Sequence, residues 1–158
     1  MSRIVFIFSL SLFLITCTGK KDPAHKTHKT APVSERSTGA KEEPARIPMA
    51  VLERGEEVYR KHCMACHQKD GTGFPKMYPP LTNTKTVNGD PSGLIGIVLN
   101  GLAGEIEVNG EIYNQVMIPH NFLSDREIAD LLTFVRANFE NSGGRISEEE
   151  VRTVRAIN

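Results

Sequence analysis

The stretch EVYRKHCMACHQKDG, residues 57–71, sets two cysteines three positions apart with a histidine directly after the second. What precedes Cys63, Cys66 and His67 narrows the chemistry of the pattern. Val51, Leu52, Gly55, Val58, Tyr59 and His62 recur at three- and four-residue steps, the signature of one helix face leading into the motif. A redox dithiol of the C-x-x-C kind follows a strand in a βαβ setting, and no strand pattern stands here. Tetrahedral zinc requires four ligands. Cys66 and His67 are neighbours that do not easily face one ion together, and no second cysteine pair exists in the chain.

The full pattern C-x-x-C-H is that of covalent haem attachment. On a helical turn, sulfurs at i and i+3 reach the two vinyl groups of a haem, and an imidazole one residue later faces the iron. Every element of the motif is then used. The segment that follows fits the same reading. Residues 68–89, QKDGTGFPKMYPPLTNTKTVNG, show no regular period and many turn formers. A loop of this length in a compact domain needs something to order it. A large prosthetic group does so, and it gives Phe74, Met77, Tyr78 and Leu81 a surface to cover.

Further along, helices are marked by their caps. Asp90, Pro91 and Gly101 bracket a helix over 91–100 with Leu94, Ile95, Val98 and Leu99 as its stripe. In SDREIADLLTFVRANF, Ser124 and Glu127 form a capping box, and Ile128, Leu131, Leu132, Val135 and Phe139 form the buried face. A short helix over 147–156 has Glu150 at its box position. GEIEVNGEIYNQ alternates around Asn109-Gly110 and predicts a small hairpin near 105–113. The fold class is mainly α: several short helices joined by long loops.

The N-terminal part has a different character. Arg3 followed by IVFIFSLSLFLIT is an export signal over residues 1–16, too short for a comfortable membrane span. The run ends in LITC, residues 14–17, which resembles the lipobox of bacterial lipoproteins and implies lipidation of Cys17. Thr16 stands where that pattern has Gly, Ala or Ser, so a plain secretory signal is the alternative. Residues 17–47 are polar, without apolar period, and read as a disordered tether. His25 and His28 in this stretch lie among lysines and read as a solvated pair. The folded domain is expected over 48–158. Lys plus Arg total 19 and Asp plus Glu 19, so net charge points to no nucleic-acid partner. The charge is unevenly placed: residues 20–46 carry net +3 and 47–158 net −4, a basic tether ahead of a mildly acidic domain.

Over residues 49–140 the chain resembles the small class I c-type cytochromes of bacteria. RGEEVYRKHCMACHQKDGTG is similar to that family's N-terminal helix and haem site, YPPL to its proximal loop, and MIPHNFLSDREIADLLTFVR to its distal methionine loop and C-terminal helix. NSGGRISEEEV resembles tails of cytochrome modules associated with periplasmic dehydrogenases and reductases. The resemblance implies one covalent haem c, thioethers from Cys63 and Cys66, His67 as proximal ligand and Met117 as distal ligand. Met49, Met64 and Met77 are less suited to that place, and His120 is the rival, giving a bis-histidine haem. Ile118 separates Met117 from Pro119, whereas in the family the proline often follows directly. Pro79 or Pro80 is implied to place its carbonyl on the far nitrogen of His67, and Gly55 with Phe134 match the family's close helix crossing.

Thioether ligation with no open site implies a single-electron carrier without catalytic activity, lipid-anchored and facing the periplasm. A dehydrogenase, a quinol-oxidising complex and a terminal reductase or oxidase are all compatible as partners. A haem enzyme or gas sensor with a displaceable Met117, and a lipoprotein with a zinc-stabilised interaction domain, are the competing classes.

Overall fold

The computed structural model describes residues 46–157; the signal segment, Cys17 and almost all of the tether lie outside them. Six helices and one hairpin follow in order: α1 (Met49–His62), α2 (Met64–His67), α3 (Lys85–Asn88), α4 (Pro91–Asn100), β1 (Ile106–Val108), β2 (Glu111–Tyr113), α5 (Asp125–Ala137) and α6 (Glu148–Ile157).

The caps act where the side chains predict them. Asp90 accepts from the Ser92 backbone N–H, and Pro91 opens α4. Ser124 and Glu127 make both bonds of a capping box on α5. Ser147 and Glu150 repeat the arrangement at the start of α6. β1 and β2 pair antiparallel with Val108 opposite Glu111. Asn109 and Gly110 both take positive φ, 51° and 84°, which a two-residue turn of this twist requires.

α1 crosses α5 at Gly55. A side chain there would strike the Asp130 carbonyl and lie 2.6 Å from Phe134 Cβ, so only glycine lets the two backbones meet. Arg54 fastens the same crossing, its Nε donating to Asp130 Oδ2 at 2.6 Å. α6 lies across α4 and α5, burying Val151 and Val154. The core gathers Tyr59, Ile95, Ile128, Leu131, Ile146 and Val151, all essentially removed from solvent. Each aliphatic member contributes about 1.5–3 kcal/mol by burial.

Arg136 is buried in this core and donates to three carbonyls: Val87 and Gly89, both at 2.9 Å, and Gly144 at 3.1 Å. One side chain of α5 thus ties down the end of the long loop and the approach to α6.

Three expectations are corrected. The loop over 68–89 contains one regular element, α3, capped by Thr84. Phe139 falls two residues past the end of α5, at φ 54°, and reaches the core from the turn. His62 shares the sequence stripe of α1 but is exposed, because α1 runs beyond its crossing with α5 at that end.

Candidate haem site

α1 delivers Cys63 at its C-cap, where the Cys63 N–H donates to the Tyr59 carbonyl at 2.9 Å. The chain then closes a single helical turn, Met64–His67, with Cys66 N–H and His67 N–H both donating to the Cys63 carbonyl. The two thiols, free of any disulfide, are held on one turn and half-buried. Burial and the neighbouring Cys66 push the Cys63 thiol up to about 12. A thioether at that position has no charge to desolvate.

Gln68 ends the turn in the left-handed region, φ 64°, and its carbonyl accepts from the Tyr59 hydroxyl at 2.6 Å. Tyr59 is therefore more than a core residue of α1, since it fixes the exit from the motif. From here the chain doubles back. Gly73 N–H donates to the His67 carbonyl, and Phe74 bridges to Tyr78. The Pro79 carbonyl comes to rest 3.0 Å from His67 Nδ1. A carbonyl only accepts, so Nδ1 carries a proton, and in the neutral ring Nε2 keeps its lone pair. Burial lowers the His67 pKa, the Pro79 bond opposes that shift, and nearby His120 adds to it. The lowered pKa favours the neutral imidazole, the form that ligates metals.

Of the two prolines expected to serve, Pro79 makes this bond and Pro80 does not. Gly73 lets the loop lie this close. At φ 67° its Cβ would sit 2.6 Å from the Pro79 carbonyl oxygen, so any side chain there would displace the loop. Gly71 has a similar place beneath Phe139, whose ring lies tilted at 5.1 Å from Tyr59 and edge-on at 5.6 Å from Phe134. Neither glycine was singled out by sequence pattern, although DGTG carries the signal for positive φ.

Met117 is held by its backbone. Its N–H and carbonyl pair with Leu102 at 2.8 and 3.0 Å, in a bridge that follows the end of α4. Gly101, at φ 73°, permits this approach, for a Cβ there would meet the Met117 carbonyl. The Met117 side chain is half-buried against the core. His120 is buried as well, anchored through its N–H to the Val98 carbonyl, and its Nδ1 has no partner. Its ring lies beside His62 and Phe122. Met77 and Phe74, by contrast, are about half exposed.

These residues fit a haem. The donor set offers two neutral-capable sulfurs, one neutral imidazole, one thioether and a buried polar nitrogen awaiting a partner. Among the described residues, no three His, Cys, Asp or Glu side chains converge on a point, so a tetrahedral zinc set is not assembled.

The cytochrome c family model matches residues 52–138, more than half of the chain. The chain belongs to the cytochrome c family. It carries one covalently attached haem c. It is 39% identical over 85 residues to cytochrome c-552 of Thermus thermophilus, covering 51% of this chain and 64% of that one. It is 35% identical over 105 residues to the cytochrome c subunit of a quinone alcohol dehydrogenase of Gluconobacter oxydans, covering 64% of this cytochrome. A fructose dehydrogenase cytochrome subunit of Gluconobacter japonicus is 29% identical over 138 residues. The chain spans only 22% and 28% of the two dehydrogenase subunits.

Proposed function

We propose that this cytochrome is a membrane-anchored, periplasm-facing carrier of single electrons with histidine and methionine as axial ligands. The observation that carries the reading is the His67 Nδ1 bond to Pro79, which leaves Nε2 as the ligating nitrogen beside two cysteines on one helical turn. Bound there, the haem supplies reversible one-electron exchange between ferrous and ferric iron. The chain's residues do the rest. Cys63 and Cys66 hold the macrocycle by thioethers, and the Pro79 carbonyl orients His67 and raises its basicity as a ligand. Met117 supplies the sulfur that favours the ferrous state and closes the distal side to substrates.

LITC supports anchoring through a lipidated Cys17, and the polar composition of residues 17–47 suits a linker between anchor and domain. Among the described residues no helix is long and apolar enough to cross a membrane. The likeness to cytochrome subunits of dehydrogenases supports a dehydrogenase as electron donor.

One observation favours a second reading: buried His120, with its unpartnered Nδ1, is three residues from Met117. A bis-histidine haem, or an iron whose methionine gives way to a ligand, would use it. The ferric visible spectrum separates the two. The weak sulfur-to-iron charge-transfer band is expected in the purified protein, absent from Met117→Ala and retained in His120→Ala. Retention in the first and loss in the second would establish the histidine reading instead.

A further inference from the structure

Residues 121–125 join the distal methionine loop to α5, and two of their carbonyls, Asn121 and Leu123, lie outside any helix. Both accept from one guanidinium. Arg155 Nη1 donates to the Asn121 carbonyl at 2.9 Å and Nη2 to the Leu123 carbonyl at 2.7 Å. Its Nε donates to Asp125 Oδ1 at 2.6 Å. Arg155 belongs to α6, which lies beyond the part of the chain matched by the family model. The helix is firmly seated, with Val151 and Val154 buried and a capping box at its start. A fixed helix therefore projects a three-pronged donor onto the segment that follows Met117.

We propose that Arg155 is a positioning residue for Met117, and that α6 is an added brace on the distal loop. The proposal rests on Met117 as axial ligand. On its N-terminal side, the loop is held by the Leu102 bridge and the His120 N–H bond to Val98. On its C-terminal side, Arg155 ties the Asn121 and Leu123 carbonyls to another helix, whereas Arg152 of that helix reaches only the Asp125 carboxylate there, at 3.8 Å. The planar guanidinium suits this task, because its donors diverge in a fixed geometry and meet three acceptors together. A lysine ammonium offers one charged point and cannot span the same set. With the fork in place, the loop resists the displacement by which Met117 would leave the iron and admit an outside ligand.

The test uses the full-length holoprotein. Cyanide binding to the ferric form is timed in Arg155→Gln, Arg155→Lys, Arg152→Gln and Met117→Ala, and amide hydrogen exchange is followed in the same variants. Arg155→Gln is expected to speed cyanide binding roughly tenfold, the scale of one lost hydrogen bond to a charged group. Exchange at His120 and Leu123 should rise with it, while α1 amides stay as in the parent. Arg155→Lys should fall between. Arg152→Gln, on the same helix, should resemble the parent, because among the described residues Arg152 meets the carboxylates of Asp125, Glu148 and Glu149 and neither loop carbonyl.

A silent Arg155→Gln overturns the proposal, and so does a general rise of exchange through α1 and α5, which marks a merely structural role. If Met117→Ala accelerates cyanide while Arg155→Gln does not, the ligand assignment stands and only the brace falls. If Met117→Ala leaves the rate unchanged, the ligand assignment fails and takes the proposal with it.

Discussion

Under the proposed ligation, the Met117 sulfur sets the redox behaviour. Its thioether is electron-rich but weakly basic, so its loss disfavours ferrous iron. Met117→Ala is expected to lower the reduction potential by roughly 100–300 mV, within the range that axial ligands span. His120→Ala should leave the potential nearly unchanged; spectroelectrochemical titration of both variants checks the pair. At the attachment cysteines, Cys63→Ala combined with Cys66→Ala should abolish acid-stable haem. Acid–acetone extraction that left haem on the double variant would contradict covalent attachment through these sulfurs. The single turn that gathers Cys63, Cys66 and His67 was legible in the sequence because it depends on spacing along the chain. The choice of Pro79 over Pro80 was not. It depends on where the Gly73 turn and the Phe74–Tyr78 bridge set a carbonyl, which is a matter of backbone path.

Among the elements, the α1–α5 crossing offers the sharpest test. Gly→Ala at an exposed helical site stabilises by about 1 kcal/mol, since glycine is the poorer helix former. At Gly55 the sign should reverse, because the added methyl meets the Asp130 carbonyl and Phe134. A loss of about 1–3 kcal/mol is expected from such overpacking, read as a lower midpoint in guanidinium unfolding of the holoprotein. A gain in stability would show that the crossing has room to adjust. The helices themselves were readable because capping side chains and apolar periods act locally. Phe139 and His62 mark the limit of that approach. Periodicity put both on buried helix faces, whereas Phe139 packs against the core from the turn beyond α5 and His62 is exposed.

For the whole molecule, haem binding and folding are expected to be one process. Met117 and Cys63 pack only partly against the core, and Met77 and Phe122 are open to solvent, so the apolar surface is incomplete without the cofactor. Binding to the folded state alone adds its free energy to stability. The haem-free chain should therefore be largely unfolded at ambient temperature, checked by far-ultraviolet circular dichroism and thermal melts. A cooperative melt with native-like helix content would disprove this. The anchor is tested at the same scale. Several acyl chains hold a protein firmly where one holds it marginally. Cys17→Ser should release a soluble cytochrome or block processing, seen by membrane fractionation and intact mass; an unmodified mature terminus beyond residue 17 would contradict lipidation.

The sequence alone determined the attachment motif, the helical class, the capped ends of α4 and α5 and the Asn109-Gly110 turn. Each depends on residues within a few positions of one another, so spacing carries the information. Tertiary structure decided which carbonyl supports His67, that His120 is buried without a partner for Nδ1, and that Arg136 and Arg155 each gather carbonyls from distant segments. Those features arise where chain segments tens of residues apart meet. No local period or cap encodes such a meeting, because its energy comes from burial and from backbone groups whose positions exist only once the helices have packed.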